Sequence, residues 1–162
     1  MVSEFLAMTK TFILVALSFI FAGATHAEQF SGRVVGVKDG DTLAVLVKGR
    51  EVQVRLAEID APEKKQPFGM VSKASLSLLT FGRTVTLEVQ DKDRYGRTVA
   101  RVFAGDTDVC LEQVQRGMAW AHRKYLRDPR LIEAESDARV RGAGLWSFGD
   151  PIPPWAWRKG LR

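Results

Sequence analysis

The stretch Phe30-Ser-Gly-Arg-Val-Val-Gly-Val37, Lys38-Asp39-Gly40-Asp41, Thr42-Leu-Ala-Val-Leu-Val47 decides the architecture. Two runs rich in Val and Leu flank a short polar turn with Asp-Gly at its centre, which is the strongest local signal for a β-hairpin. Lys48-Gly49-Arg50 then makes a second tight connection into Glu51 to Ile59, a third strand. Val52, Val54 and Leu56 alternate on one face of it, so Arg55 falls on the face away from the core.

Outward from this meander, Asp60-Ala61-Pro62-Glu63 leads into a polar loop ending at Pro67. Phe68 to Phe81 repeats apolar residues at Val71, Ala74, Leu78 and Phe81, a helical spacing that predicts that face as the buried one. Gly82 stops the helix, Val85 to Val89 alternates as a fourth strand, and the turn Asp91 to Gly96 joins it to a fifth, Thr98 to Ala104. Asp108 is placed to cap a helix bearing Leu111, Val114 and Met118, with Gly117 near its end. Asp128-Pro129 opens another, with proline at the first helical position, and it runs to about Arg141 before Gly142-Ala143-Gly144. Five strands in two hairpin groups, interrupted by one helix and followed by others, predict an α+β, mainly β fold. The expected form is a five-stranded Greek-key barrel of the OB type with three helices.

Ahead of the barrel, Lys10, the apolar run Phe12 to Ala22 and Thr25-His26-Ala27 have the layout of a secretory signal peptide, with cleavage expected after Ala27. Met8 would begin a cleaner leader than Met1, because Glu4 spoils the positive start. The expected organisation is a leader over residues 1–27, one domain over 28–150 and a Trp-, Pro- and Arg-containing tail over 151–162. Export to the periplasm or the medium follows, with membrane attachment only if the leader is uncleaved. What remains, about 135 residues, suffices for a single core.

The chain carries 24 Lys and Arg against 19 Asp and Glu, a net charge of +5 that favours polyanions without choosing among them. Cys110 is the sole cysteine, which excludes an internal disulfide, and its apolar neighbours mark it as a packed thiol. After the leader one histidine remains, His122, so a Ser-His-Asp triad and a His/Cys zinc site both lack support. His122 reads as a structural or surface residue. Carboxylates and arginines are left as the chemistry. Asp39 and Asp41 lie in the first turn, and Asp60 and Glu63 lie just past the strand bearing Arg55. Carboxylates from two such loops suit a hard cation such as calcium, while Pro62 holds Ala61 extended. Taken alone, Asp39-Gly40-Asp41 reads first as a simple turn, and Arg55 with Asp60 or Glu63 as a surface salt bridge. Asp93-Arg94-Tyr95-Gly96-Arg97 adds arginine forks suited to phosphate oxygens.

Together, Asp39-Gly-Asp41-Thr42, Arg55-Leu-x-x-x-Asp60-x-Pro62-Glu63 and Asp93-x-Tyr95-Gly96-Arg97 resemble the staphylococcal nuclease (thermonuclease) family in order and spacing. The resemblance extends from Phe30 to Gly144-Leu145-Trp146. It implies an OB barrel with three helices and calcium-dependent hydrolysis of DNA and RNA, breaking the 5′ oxygen–phosphorus bond and leaving 3′-phosphates. It also implies that Asp41 and Asp60 bind calcium along with the backbone carbonyl of Ala61, and that Asp39 supports the metal indirectly. Glu63 would act as base or water orienter, with Arg55 and Arg97 on the phosphate. Arg94, Tyr95 and Tyr125 match substrate-contacting positions, whereas Arg123 replaces a second tyrosine and Glu135 matches a loop-supporting residue. No stable protein partner is implied, and a monomer is expected. The competing reading is a non-catalytic OB module binding nucleic acid or protein, whose mark would be erosion of the charged set, and no erosion is present. Trp155, Trp157, Arg158, Lys159 and Arg162 are expected to pack against the barrel rather than to extend a nucleic-acid surface.

Overall fold

A computed structural model describes residues 28–161. The expected signal peptide, its cleavage after Ala27, the alternative start at Met8 and Arg162 all lie outside the described residues. Among the described residues no helix is long and apolar enough to cross a membrane.

Strands β1 (Gln29–Val37), β2 (Thr42–Val47) and β3 (Arg50–Leu56) form the expected antiparallel meander. Two further long strands are β5 (Thr84–Lys92) and β6 (Thr98–Ala104). β1 serves both groups: Gln29 to Arg33 pairs with β5 and Arg33 to Val37 with β2, with an irregularity between Val34 and Gly36 that lets the strand bend. The order is β3-β2-β1-β5-β6, followed by the two-residue β7 (Thr107–Asp108), and β6 returns to pair in parallel with β3, Val54 opposite Thr98 and Leu56 opposite Ala100. That last pairing closes a five-stranded mixed barrel, which leaves the long strands no open edge between β3 and β6. Val34, Leu43, Val45, Val54, Leu56, Val85, Leu87, Ala100 and Val102 fill it.

Three helices pack outside: α1 (Gly69–Thr80), α2 (Val109–Gln115) and α3 (Arg130–Val140). Asp108 caps α2 as expected, accepting from Leu111 N. Pro129 sits one residue before α3 rather than inside it. The tail also holds a short helix, α4 (Pro154–Trp157), which its irregular sequence did not signal.

Two expectations need correction. The third strand ends at Leu56, not Ile59. Continued alternation would put the Glu58 carboxylate on the core face, and the chain instead turns there, with Glu58 at φ 66°. It resumes as β4 (Ile59–Asp60), which pairs with β8 (Trp120–Ala121) outside the barrel. The second correction concerns α1: Val71, Ala74, Leu78 and Phe81 all face outward, and Ser72, Ser75, Leu76 and Leu79 are buried instead. Both serines are small enough for close approach, and both hydroxyls are satisfied. Ser72 Oγ donates to Met118 O at 2.7 Å and Ser75 Oγ to Gln113 Oε1 at 2.7 Å.

Candidate active site

The first site loop is held from below. Gly40 has no positive φ; its need is space, because a Cβ there would lie 1.9 Å from Ser72 Oγ and 2.7 Å from Ala61 Cβ. Gly40 O accepts from the buried amide of Gln113 at 2.9 Å. The Asp-Gly pair therefore marks a turn pressed against α1 and α2. Asp39 Oδ1 accepts from Asp41 N at 3.1 Å, so Asp39 supports the loop that orients Asp41.

Asp41 is buried. Its Oδ2 accepts from Ala61 N at 2.7 Å, and its Oδ1 accepts from Thr42 Oγ at 3.2 Å. Burial pushes its carboxyl up to about 7, with Arg55 pulling it back down and Asp39 adding to the rise.

Arg55 stands on β3 directly opposite Thr42. Its Nη1 lies 2.5 Å from Asp41 Oδ2 and its Nη2 donates to Asp60 Oδ1 at 3.0 Å. Burial opposes the charged guanidinium, but Asp41 and Asp60 outweigh it and raise its pKa. This is a buried triad, not a surface salt bridge: Asp60 is 1% and Arg55 17% exposed at the side chain. Asp60 is fixed by the β4–β8 pairing opposite Trp120, and β8 is fixed in turn by Glu135, whose Oε2 accepts from Ala121 N at 2.8 Å. Glu63 follows on the loop, where its N–H donates to Gln66 Oε1 at 3.1 Å.

Arg97 arrives from the β5–β6 turn. Gly96, at φ 80°, provides the left-handed residue that turn needs. Asp93 Oδ1 accepts from Tyr95 N and Arg97 N, both at 2.9 Å. Arg97 Nη1 reaches to 3.5 Å from Thr42 Oγ, next to Asp41. Arg94 lies over the Tyr95 ring at 4.8 Å and donates to its hydroxyl at 2.6 Å.

These groups meet in one open cleft of about 860 Å³, lined by Arg55, Glu63, Arg94, Tyr95, Arg97 and Tyr125 and further by Lys92, Lys124 and Arg127. Tyr125 packs against His122 with the rings tilted at 57° and 4.7 Å between centroids. His122 is thus part of the cleft wall, and burial lowers its pKa, which favours the neutral ring. Arg123 leaves the cleft and pairs with Glu135 at 3.4 Å. Cys110 is buried, and burial pushes its thiol up to about 12, so it is inert packing.

Four contributors carry roles that the sequence does not assign them. Thr42 links Asp41 to Arg97, Asp93 grips Arg97, and Gln66 ties Glu63's backbone to the tail by donating to Ile152 O at 2.5 Å. The fourth is Arg158. Its Nη1 donates to Glu63 Oε1 at 2.7 Å and its Nη2 to Asp60 Oδ2 at 2.7 Å. A basic residue beside tryptophans and prolines was the only available sign of it.

Asp41, Asp60 and the Ala61 backbone offer oxygen donors from two loops, the donor type a hard cation takes, and Arg55 shows that both carboxylates reach one centre of positive charge. Among the described residues no ready-made cluster of three or more His, Cys, Asp or Glu side chains forms a metal cage.

The sequence matches the model of the staphylococcal nuclease homologue family over residues 53–148. A Haemophilus influenzae protein called an uncharacterized endonuclease is 44% identical over 155 residues, which span 94% of this chain and 87% of the relative. An Escherichia coli protein of the same description is 43% identical, over 86% of this chain and 92% of the relative. A Shigella flexneri micrococcal nuclease is 43% identical, over 81% of this chain and 82% of the relative.

Proposed function

This chain belongs to the family of staphylococcal nuclease homologues, and from that premise we propose that it is a calcium-dependent endonuclease acting on DNA and RNA, leaving 3′-phosphate ends. The coarser statement stands on kinship alone: the chain is a hydrolase of the nuclease class. The finer one is carried by one observation. Arg55, Arg97 and Glu63 line a single cleft, with Asp41 and Asp60 gathered behind them on the Arg55 guanidinium.

In this reading Arg55 and Arg97 bind two non-bridging phosphate oxygens and hold phosphorus in the cleft. Negative charge grows on those oxygens as the attacking water adds, and pre-set cations facing it lower the barrier by several kcal/mol. Glu63 accepts the water's proton or aims its lone pair, a contribution of about 10² to 10⁴ in rate. The water oxygen bonds to phosphorus, the bond from phosphorus to O5′ breaks with its electron pair going to O5′, O5′ takes a proton from solvent water, and a 5′-hydroxyl and a 3′-phosphate result. Asp41, Asp60 and the Ala61 carbonyl would hold the cation, with Asp39 steadying Asp41. When bound, calcium supplies charge compensation to the phosphate and an ordered water. Tyr95, Arg94 and Tyr125 would meet the neighbouring nucleotide, and stacking on the tyrosines tolerates any base.

Export to the periplasm or medium is proposed on the layout of Lys10, Phe12 to Ala22 and Thr25-His26-Ala27. The mass of the exported protein's N-terminal peptide checks it.

The experiment is cleavage of single-stranded DNA by the purified protein in calcium and then in chelator. Cleavage only with calcium is expected. Glu63→Gln and Arg97→Ala are each expected to lose about a hundredfold or more while remaining folded. Near-normal turnover in both would place the chemistry elsewhere, and salt-sensitive DNA binding with no product would fit a binding module instead.

A further inference from the structure

The C-terminal segment closes over the cation site. Pro154 is buried, and Trp155 packs edge-on against Trp120 at 6.3 Å and beside His122 at 5.9 Å. Trp120 is the residue paired with Asp60 across β4 and β8, so the tail is docked on the strands that position Asp60. α4 then delivers Arg158 with both terminal nitrogens on Asp60, at 3.3 and 2.7 Å, and one of them also on Glu63.

We propose that Arg158 is a built-in counter-ion that a divalent cation must displace from Asp60, so that the C-terminal segment sets the protein's cation affinity. This rests on the reading of Asp41 and Asp60 as cation ligands. Asp60 is 1% exposed, too buried to remain an unpaired carboxylate, so some positive charge has to accompany it. Three Asp60 hydrogen bonds already go to Arg55 and Arg158. A carboxylate presents about four lone-pair sites, so the one left is on Oδ2, the oxygen that Arg158 Nη2 already holds at 2.7 Å, and a cation about 2.3 to 2.6 Å from that oxygen would lie against the Arg158 guanidinium.

The charges agree. Asp41, Asp60 and Glu63 face two guanidiniums; exchanging one guanidinium for a divalent cation leaves the group neutral, whereas adding the cation to both leaves it positive. Of the two arginines, Arg55 is 17% exposed and locked on β3, while Arg158 is 46% exposed at the C-terminal cap of a four-residue helix. Arg158 is the one placed to yield. Coupling of this kind is reciprocal, so whatever Arg158 contributes to the cation-free site is subtracted from cation binding.

The test is calcium binding by titration calorimetry to the purified protein and to Arg158→Ala, with Arg158→Lys as a variant that keeps the charge and loses the fork. Arg158→Ala is expected to bind calcium about tenfold more tightly or better, within the usual coupling range of about 5- to 150-fold, and Arg158→Lys to fall between. A second readout needs no substitution: trypsin is expected to cut after Arg158 faster in calcium than in chelator, followed by mass spectrometry. Calcium binding that is unchanged or weaker in a folded Arg158→Ala, or tail cleavage indifferent to calcium, overturns the proposal while leaving the nuclease reading intact. Absence of calcium binding in every protein overturns both.

Discussion

Asp93 grips Arg97 at two points, its Oδ1 accepting from the Arg97 backbone N–H at 2.9 Å and its Oδ2 from Nε at 2.7 Å. The same carboxylate accepts from Tyr95 N, so one side chain shapes the turn and aims the guanidinium carried by it. Burial works against the ionised form, but the bonds to Arg97 outweigh it and keep the Asp93 carboxyl below its usual value. Nε and the backbone are committed, which leaves the far end of the guanidinium to face phosphate.

Asp93→Ala is expected to lower kcat about tenfold to a hundredfold, since small displacements of a phosphate-holding group carry penalties of that order. Asp93→Asn, which keeps one acceptor oxygen, should recover part of the loss. Steady-state kinetics on a single-stranded oligonucleotide, with circular dichroism to confirm folding, decide the matter. Equal rates in Asp93→Ala and the parent would show that Arg97 needs no such support.

Arg55 offers a prediction that separates stability from catalysis. It joins Asp41 and Asp60 inside the protein, and removing one partner of a buried ionic group typically costs about 3 to 5 kcal/mol. Arg55→Met, which fills similar space, is expected to lower the denaturation midpoint substantially in chelator. Calcium should restore part of it, because a ligand bound by the native state alone stabilises that state. Urea unfolding with and without calcium measures both. A variant as stable as the parent in chelator would mean that the acids do not depend on Arg55.

Which parts of this were readable in the chain, and which were not, follows from the range of the interactions. Hairpin signals at Asp39-Gly40 and Lys48-Gly49 and the alternation of Val52, Val54 and Leu56 are local and mark the first three barrel strands, as the alternation from Val85 to Val89 and the turn from Asp91 to Gly96 mark the other two. The pairing of β3 with β6 joins Val54 to Thr98 and carries no local mark; it was accessible through the motif resemblance. On α1 hydrophobic spacing points to the solvent-facing side rather than the buried one. Burial there follows size and hydrogen bonding, with Ser72 and Ser75 bonded to Met118 and Gln113 and with Gly40 pressed against Ser72. Arg158 was beyond reach for a related reason. Nothing in Pro-Pro-Trp-Ala-Trp-Arg states that its last residue returns to a carboxylate 98 positions earlier.

Acid is expected to destabilise the protein through two carboxylates outside the catalytic set, Glu58 in the cleft wall and Asp128. Glu58 Oε2 accepts from Arg127 N at 2.6 Å and Asp128 N at 2.8 Å, and its other oxygen from Gln90. Burial alone would raise its pKa, but those bonds outweigh burial and bring it below the usual 4.5. Asp128 is bonded by Arg130 and Arg101, chiefly Arg130, which holds it well below the usual 3.8 against the opposing effect of burial. A carboxyl whose pKa is lower folded than unfolded contributes stability that is fully present above its unfolded value and is lost as pH falls through that value toward the folded one. The loss therefore begins as pH drops through about 5 and deepens below 4. Asp41 has the opposite sign: raised from 3.8 to about 7, its ionisation costs stability fully above about pH 7, and that cost is relieved as pH falls from about 7 toward about 4. Comparing the parent with Asp128→Asn plus Glu58→Gln removes that shared background. Thermal unfolding from pH 7 to pH 3 should show the double variant less stable at pH 7 and the two curves converging in acid. Parallel curves with a constant gap would show that neither carboxylate's ionisation is linked to folding.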